Sequence, residues 1–339
     1  MKPRLEICFD KELRQAFRHR EPLYCPADNE FLLNHARSGL LLALQALGLP
    51  QGSRVGVMVY NCHTVMNAVA QAGCVPVFVD VDDDLKLDLS DLQRKSSSMK
   101  ALIVTHLFGI VNDIEAIRQR FPHLVVIEDC AHAFGKPIVG DFGVYSVGPG
   151  KLPSLGEGGI LVVNKSVYTD TVKSLYGQLP AYSRQSERKL FAKLLLMHWA
   201  NSRCFYGWLT MPLKRMRKQP SGKEPIVVKK MSTGVQAMLG LRKAAVNGMI
   251  DQRKENARKE MERQNVNPLV TKVLIGQNAF MLPMLSSDPL TLKKQYAQRG
   301  VETATHFANS IAWAREFGYQ NDCPNAEKLV GKLLVVPVY

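Results

Sequence analysis

The chain of 339 residues has no apolar run of about 18 residues, the length a membrane-spanning helix requires. Its N-terminus, MKPRLEICFDKELRQ, has no apolar signal core. Seven cysteines (Cys8, Cys25, Cys62, Cys74, Cys130, Cys204 and Cys323) are scattered, with no CxxC pair. That spacing argues against a disulfide framework or a zinc site, and for a reducing compartment. Internal repeats and low-complexity segments are also lacking. The expectation is a globular chain, cytoplasmic or peripheral to the inner face of a membrane, with no bound metal.

What is present is ordinary in bulk: 46% apolar and 22% charged residues, with length enough for two domains. The net charge of +14 would suit nucleic acid, but it is concentrated. Twelve basic residues and two acids, Glu187 and Glu224, lie between Arg184 and Lys230, an excess of 12 − 2 = +10. Such a bias describes a surface patch and not a fold. No aromatic-basic motif of a nucleic-acid module accompanies it, so nucleic acid is not an expected partner. Leu190, Phe191, Leu194, Leu195, Met197, Trp199, Phe205, Tyr206 and Trp208 are interspersed with these cations. The segment 184–230 therefore reads either as a helical arm packed on a dimer or as a surface for an anionic membrane.

Strand and helix signals alternate along the first half. Arg54 to Tyr60, Pro76 to Val81, Ala101 to His106 and Leu124 to Ile127 read as strands. Helices are expected after Asn34, closing at Gly48, and over His63 to Ala72, Leu89 to Arg94 and Ile114 to Arg120. That alternation predicts an α/β fold with a mainly parallel sheet, and ligands beyond the carboxyl ends of its strands. Val144 to Val147 and Gly159 to Asn164 add two apolar runs. One helix is expected from Ser232 into the charged stretch ending at Arg263. Strands over Val273 to Leu282 and Lys332 to Val338 are expected in a smaller second domain. The predicted division is 1–243 and 244–339.

The most informative stretch is VVIEDCAHAFGKPIVGDFGVYSVGPGKLPSLGEGG, residues 125–159. Its strand ends in Glu128 and Asp129, and a glycine-rich passage then presents Lys151. A carboxylate at a strand end and an amine on a tight loop suit a cofactor with a cationic ring nitrogen and an aldehyde, as in pyridoxal 5′-phosphate. Ser38-Gly39, near a helix start, could hold a phosphate on backbone N–H groups, or serve equally as a cap and a packing glycine.

Several motifs in register extend this reading. PVFVDVD (76–82), VTHLFGIVNDIEAI (104–117), VIEDCAHAFG (126–135), GKLPSLGEGGILVVN (150–164), STGVQAMLGL (232–241) and GVETATHF (300–307) follow one another as in a known family. The chain resembles the DegT/DnrJ/EryC1/StrS family of pyridoxal-phosphate-dependent sugar aminotransferases. That resemblance implies an aspartate-aminotransferase-like large domain with a smaller C-terminal α+β domain, and a homodimer with shared active sites. It also implies glutamate as amino donor and a keto sugar, often nucleotide-linked, as acceptor. A lipid-linked carbonyl substrate, a sugar dehydratase and a non-catalytic regulatory relative are the alternatives; Lys151 disfavours the dehydratase.

By the same resemblance, Lys151 is the lysine that links to the cofactor aldehyde and Asp129 the partner of the ring nitrogen. Ser146, Ser38 and Gly39 hold the phosphate. His132 stands beside the cofactor hydroxyl, and Cys62 or His63 lies over the ring. Lys229 reaches the phosphate of the neighbouring subunit. His306 and Glu157 stand where relatives approach substrate. His106 is expected to be structural, and Arg37 to lie at the surface.

Overall fold

Strands with branched apolar side chains on both faces can be stable only inside a sheet covered on both sides. In the computed structural model, which describes residues 10–18, 23–202, 205, 206, 210, 223–263, 276 and 278–339, the predicted runs form such a sheet. Its strands are β1 (Glu30–Leu33), β2 (Arg54–Met58), β3 (Val75–Val79), β4 (Ala101–Thr105), β5 (Val125–Cys130), β6 (Phe142–Ser146) and β7 (Gly159–Val163). The order across the sheet is β1-β7-β6-β5-β4-β2-β3. Pairings from β3 through β6 are parallel, while β7 runs antiparallel to both β6 and β1. All five residues of β4 are buried, as a central strand requires.

Helices α1 (Asp10–Arg18), α2 (Ala36–Ala46), α3 (His63–Gln71), α4 (Leu89–Lys95), α5 (Ile114–Arg120), α6 (Thr169–Gly177) and α7 (Arg184–Ala200) accompany the sheet. Asp88 and Asp113 cap α4 and α5 by accepting first-turn N–H groups. Gly48, at φ +59°, follows α2 as predicted.

The helix expected after Asn34 is α2, and Phe31 to Leu33 ahead of it form most of β1, because their backbone pairs with β7. Two expectations need correction. The helix after Ser232 is two helices, α8 (Thr233–Lys243) and α9 (Val246–Glu262), which part at Ala244 and Ala245. Among the described residues of the strand expected over Val273 to Leu282, only Leu282 is in a strand, as the first residue of β8 (Leu282–Leu285). Residues 273–275 and 277 lie outside the described residues, as do 203–204, 207–209 and 211–222 of the basic segment and 264–272.

β8, β9 (Ala304–Thr305) and β10 (Leu333–Val336) make a small antiparallel sheet with β10 in the centre. Its buried residues join those of the large sheet in one apolar cluster. Polar ties also fix the two parts together. Asp80, at the end of β3, accepts N–H groups of Asn325 and Ala326 at 2.9 and 2.8 Å. The Tyr60 hydroxyl donates to the His306 carbonyl at 2.7 Å. That second bond carries the loop around His306 to the carboxyl edge of the large sheet.

Candidate active site

The sheet topology brings distant residues to one edge. Asn61 and Cys62 follow β2, Thr105 ends β4, Asp129 lies near the end of β5, and Ser146 ends β6. β7 runs the other way, so Gly158, just before its start, meets the same edge. His35 follows β1 and opens α2. These residues line a cavity of about 360 Å³, joined by Ala36, Arg37, His63, His132, Lys151, Phe280, His306 and Phe307.

Glu128 and Asp129, adjacent in sequence, point to opposite faces of β5. Glu128 is sealed inside. Its Oε2 lies 2.9 Å from His106 Nε2 and accepts from Lys136 Nζ at 2.6 Å, while Oε1 accepts two backbone N–H groups. Burial opposes the Glu128 charge, but His106, the Gly140 N–H and Lys136 outweigh it and hold its pKa down to about 2. His106 Nδ1 accepts from the Asn112 N–H, so His106 is the structural residue expected.

Asp129 borders the cavity. Its Oδ1 accepts from the Ala131 N–H at 3.0 Å and its Oδ2 from the Thr105 hydroxyl at 3.2 Å, with Asn61 donating to Thr105 in turn. Burial pushes the pKa of Asp129 up, against the pull of the Ala131 N–H, the Lys151 charge and the Thr105 hydroxyl. A buried carboxylate held this way gains from a cation placed against it.

Lys151 sits on the loop after β6, where Gly150 takes φ +74° and donates to the Ser154 hydroxyl at 3.0 Å. Its Nζ lies 4.8 Å from the centre of the Phe280 ring. That ring stacks on His132 at 4.0 Å and 11°. His132 Nδ1 accepts the Phe108 N–H at 3.1 Å, which places its remaining proton on Nε2. Burial first, then Lys151 and His306, push its pKa well down, so the ring stays neutral and can donate a hydrogen bond.

The structure thus gathers Asp129, Lys151, His132, Ser146, His63 and His306 as predicted, and leaves others out. Ser38 is fully buried; its hydroxyl donates to Asn34 at 2.8 Å, and its N–H and that of Gly39 go to the His35 carbonyl. The first-turn residues that border the cavity are Ala36 and Arg37, two residues earlier than the expected Ser38-Gly39 pair. Gly159 makes this close approach possible, because a Cβ there would lie 2.3 Å from the Ala36 nitrogen. Glu157 turns away to accept from Tyr182, with Lys193 at 3.9 Å. Lys229 Nζ lies 5.6 Å from the Tyr182 ring and does not line this chain's cavity. Sequence reading missed Phe280, Phe307 and the wall role of Arg37. Phe280 carries no local signal, since tertiary folding alone brings it across; Phe307 ends the GVETATHF stretch, and Arg37 adjoins Ser38-Gly39, so both lay within or beside a readable motif.

Cys62 and His63 both reach the cavity, at the first turn of α3. Cys62 Sγ lies 3.9 Å from His63 Nδ1 and accepts from the Thr64 hydroxyl at 3.2 Å. Burial alone would raise the thiol pKa, but His63 and Thr64 outweigh it and lower it. Cys62 should therefore keep reacting with iodoacetamide to a lower pH than an ordinary thiol, of pKa about 8.5, does. Exposed Cys25 is the reference in the same digest. His63→Asn should move the Cys62 rate profile to higher pH; an unmoved profile in mass spectrometry would refute the pairing.

The donor set fits pyridoxal phosphate. A raised buried carboxylate suits a protonated ring nitrogen, an amine suits an aldehyde, and a helix start with Arg37 and Ser146 suits a phosphate.

Comparisons with known proteins agree with this chemistry. Residues 15–339 match the DegT/DnrJ/EryC1/StrS aminotransferase family. GDP-perosamine synthase of Escherichia coli O157:H7 is 35% identical over 157 residues, covering 43% of this chain and 43% of that protein. The match therefore spans less than half the length of such curated relatives. The aminotransferase TlmJ of Streptoalloteichus hindustanus superposes with a TM-score of 0.72 at 19% identity, over 99% of this chain and 92% of its own. Sugar aminotransferase CalS13 of Micromonospora echinospora gives 0.72 at 18% identity, over 100% and 95%. At these identities the solved structures speak for the fold.

Proposed function

From the premise that this chain belongs to the DegT/DnrJ/EryC1/StrS aminotransferase family, we propose that it is a pyridoxal-phosphate-dependent aminotransferase. The amino donor in this reading is glutamate, and the acceptor is a carbonyl carbon of a nucleotide-linked sugar. The observation that carries it is the convergence of Asp129, Lys151 and the start of α2 on one cavity. GDP-perosamine synthase, whose name denotes an amino sugar bound to a nucleotide, supports the acceptor class.

Pyridoxal phosphate, when bound, supplies an aldehyde that captures amines and a cationic ring that draws electrons from the bonds beside it. The chain's own groups do the rest. Lys151 would hold the aldehyde carbon until the donor's amine displaces it, and its freed amine would then carry a proton off and onto carbon as base and then acid. Asp129 keeps the proton on the ring nitrogen, because an anion against that nitrogen favours its charged form. Thr105 and the Ala131 N–H fix the carboxylate's orientation. The start of α2, Arg37 and Ser146 would hold the phosphate, and the His132 Nε2–H would donate to the ring hydroxyl. Lys229, which does not line this chain's cavity, is the residue that would complete a site in a second copy, as a shared-site homodimer requires.

The test is direct. Protein purified and incubated with the cofactor should show a visible absorption band, and glutamate should bleach it with release of 2-oxoglutarate. Protein that takes up no cofactor and stays colourless would sink the proposal.

A further inference from the structure

Helix α7 has two faces of different character. Leu190 and Leu194 are buried against the body. Gln185, Arg188, Lys189, Ala192, Leu196 and Trp199 share the opposite stripe, by helical spacing, and all are exposed. The stripe is cationic in its first half and apolar in its second. Leu196 is 70% exposed and Trp199 55%, unusual for large apolar side chains on a solvated helix.

Helix α1 extends this surface. Phe17 packs on Phe191 of α7 with ring centres 5.2 Å apart. Exposed Arg14 and Arg18 then border, with Arg188 and Phe191, a groove of about 360 Å³ between the two helices. Glu187, the acid of the groove, is turned to the Thr233 N–H at 2.8 Å. The sequence that follows α7 repeats the composition: residues 201–222 hold Arg203, Lys214, Arg215, Arg217 and Lys218, with Trp208, Leu209 and Leu213, and no acid.

We propose that the α1–α7 face docks this protein on an anionic phospholipid bilayer. Cations beside a tryptophan and a leucine match an interface where lipid headgroups are anionic and the boundary beneath them is apolar. No helix of the described residues is long and apolar enough to cross a membrane, so the contact is peripheral. A second copy offering the same face is a poor occupant, because it would bring another Arg14, Arg18, Arg188 and Lys189 to a surface whose Glu187 is already turned to the Thr233 N–H. This inference stands apart from the proposed catalysis, since none of its residues lines the catalytic cavity.

The full-length protein should sediment with vesicles of about 70% phosphatidylcholine and 30% phosphatidylglycerol, and not with pure phosphatidylcholine. Binding should fall at least about tenfold in 0.5 M salt. Each basic side chain at an anionic surface is worth about fivefold in partitioning, so Arg188→Glu with Lys189→Glu should weaken binding by about 25-fold or more. Leu196→Ser with Trp199→Ala tests the apolar half independently and should weaken binding at least about tenfold. Unchanged melting temperature and cofactor uptake would show that both variants fold. Failure of the parent to bind anionic vesicles would overturn the proposal. So would equal binding to neutral vesicles, binding indifferent to the charge reversals, or variants that only change the oligomeric state.

Discussion

Lys151→Ala should leave a folded protein whose turnover falls by about four orders of magnitude or more. The expectation follows from two roles in one amine. Nucleophilic attachment to the cofactor and proton transfer at the donor carbon both need a nitrogen at this point of the cavity wall. Among the described residues, no second lysine lines that cavity. The fold should not suffer, because Lys151 is only half-buried on a loop and its Nζ rests over the Phe280 ring rather than inside the core. Circular dichroism and melting temperature should match the parent within the small range of surface substitutions, about 0.5 kcal/mol. The visible band that reports covalent attachment should be absent even at saturating cofactor. A small primary amine added to the assay should restore part of the rate, since it supplies the missing base. Turnover within tenfold of the parent would show that Lys151 is not the reacting amine.

Asp129→Asn should give the next largest loss, about three orders of magnitude in turnover, and an opposite sign in stability. An amide cannot hold a proton on the ring nitrogen, so the cofactor would bind with an uncharged ring and draw electrons poorly. In the protein without cofactor, the folded-state pKa of Asp129 lies above its ordinary value. The sign is then fixed. The carboxyl favours folding fully below the unfolded pKa, about 4, and that contribution is lost as pH rises through the folded-state pKa. Above it, the wild-type protein keeps a buried charge that the asparagine lacks. The cofactor-free variant should therefore melt no lower than wild type near neutral pH, and the cofactor should raise its melting temperature less. Denaturation with and without cofactor reads both quantities. A variant that is destabilised without cofactor and unaffected in turnover would contradict the role of the carboxylate.

The sequence alone settled those features that depend on local chemistry. Apolar runs alternating with helical stretches specify a parallel sheet, because only a covered sheet accepts strands that are apolar on both faces. β2, β3, β4 and β5 accordingly lie within two residues of where periodicity puts their starts, except that β5 runs on to Cys130. Asp129 and Lys151 were legible for a related reason: a carboxylate at a strand end and an amine on a glycine-rich loop have few other uses together. Tertiary structure decided whatever depends on two segments meeting. β1 is a strand because β7 offers it an edge, which no residue of Phe31 to Leu33 records. Phe280 and His306 reach the cavity because Tyr60 and Asp80 tie the C-terminal part to the large sheet. Arg37, and not Ser38, borders the cavity because helix phase is set by where β1 ends and Gly159 lets α2 begin, a matter of a single residue. Glu128 and Asp129 separate into a sealed ion pair and a cavity carboxylate only through the pleat of β5 and what lies on each face. Adjacent letters in the chain therefore received opposite pKa shifts from the same burial, one offset by His106 and Lys136, the other left for a cation to answer.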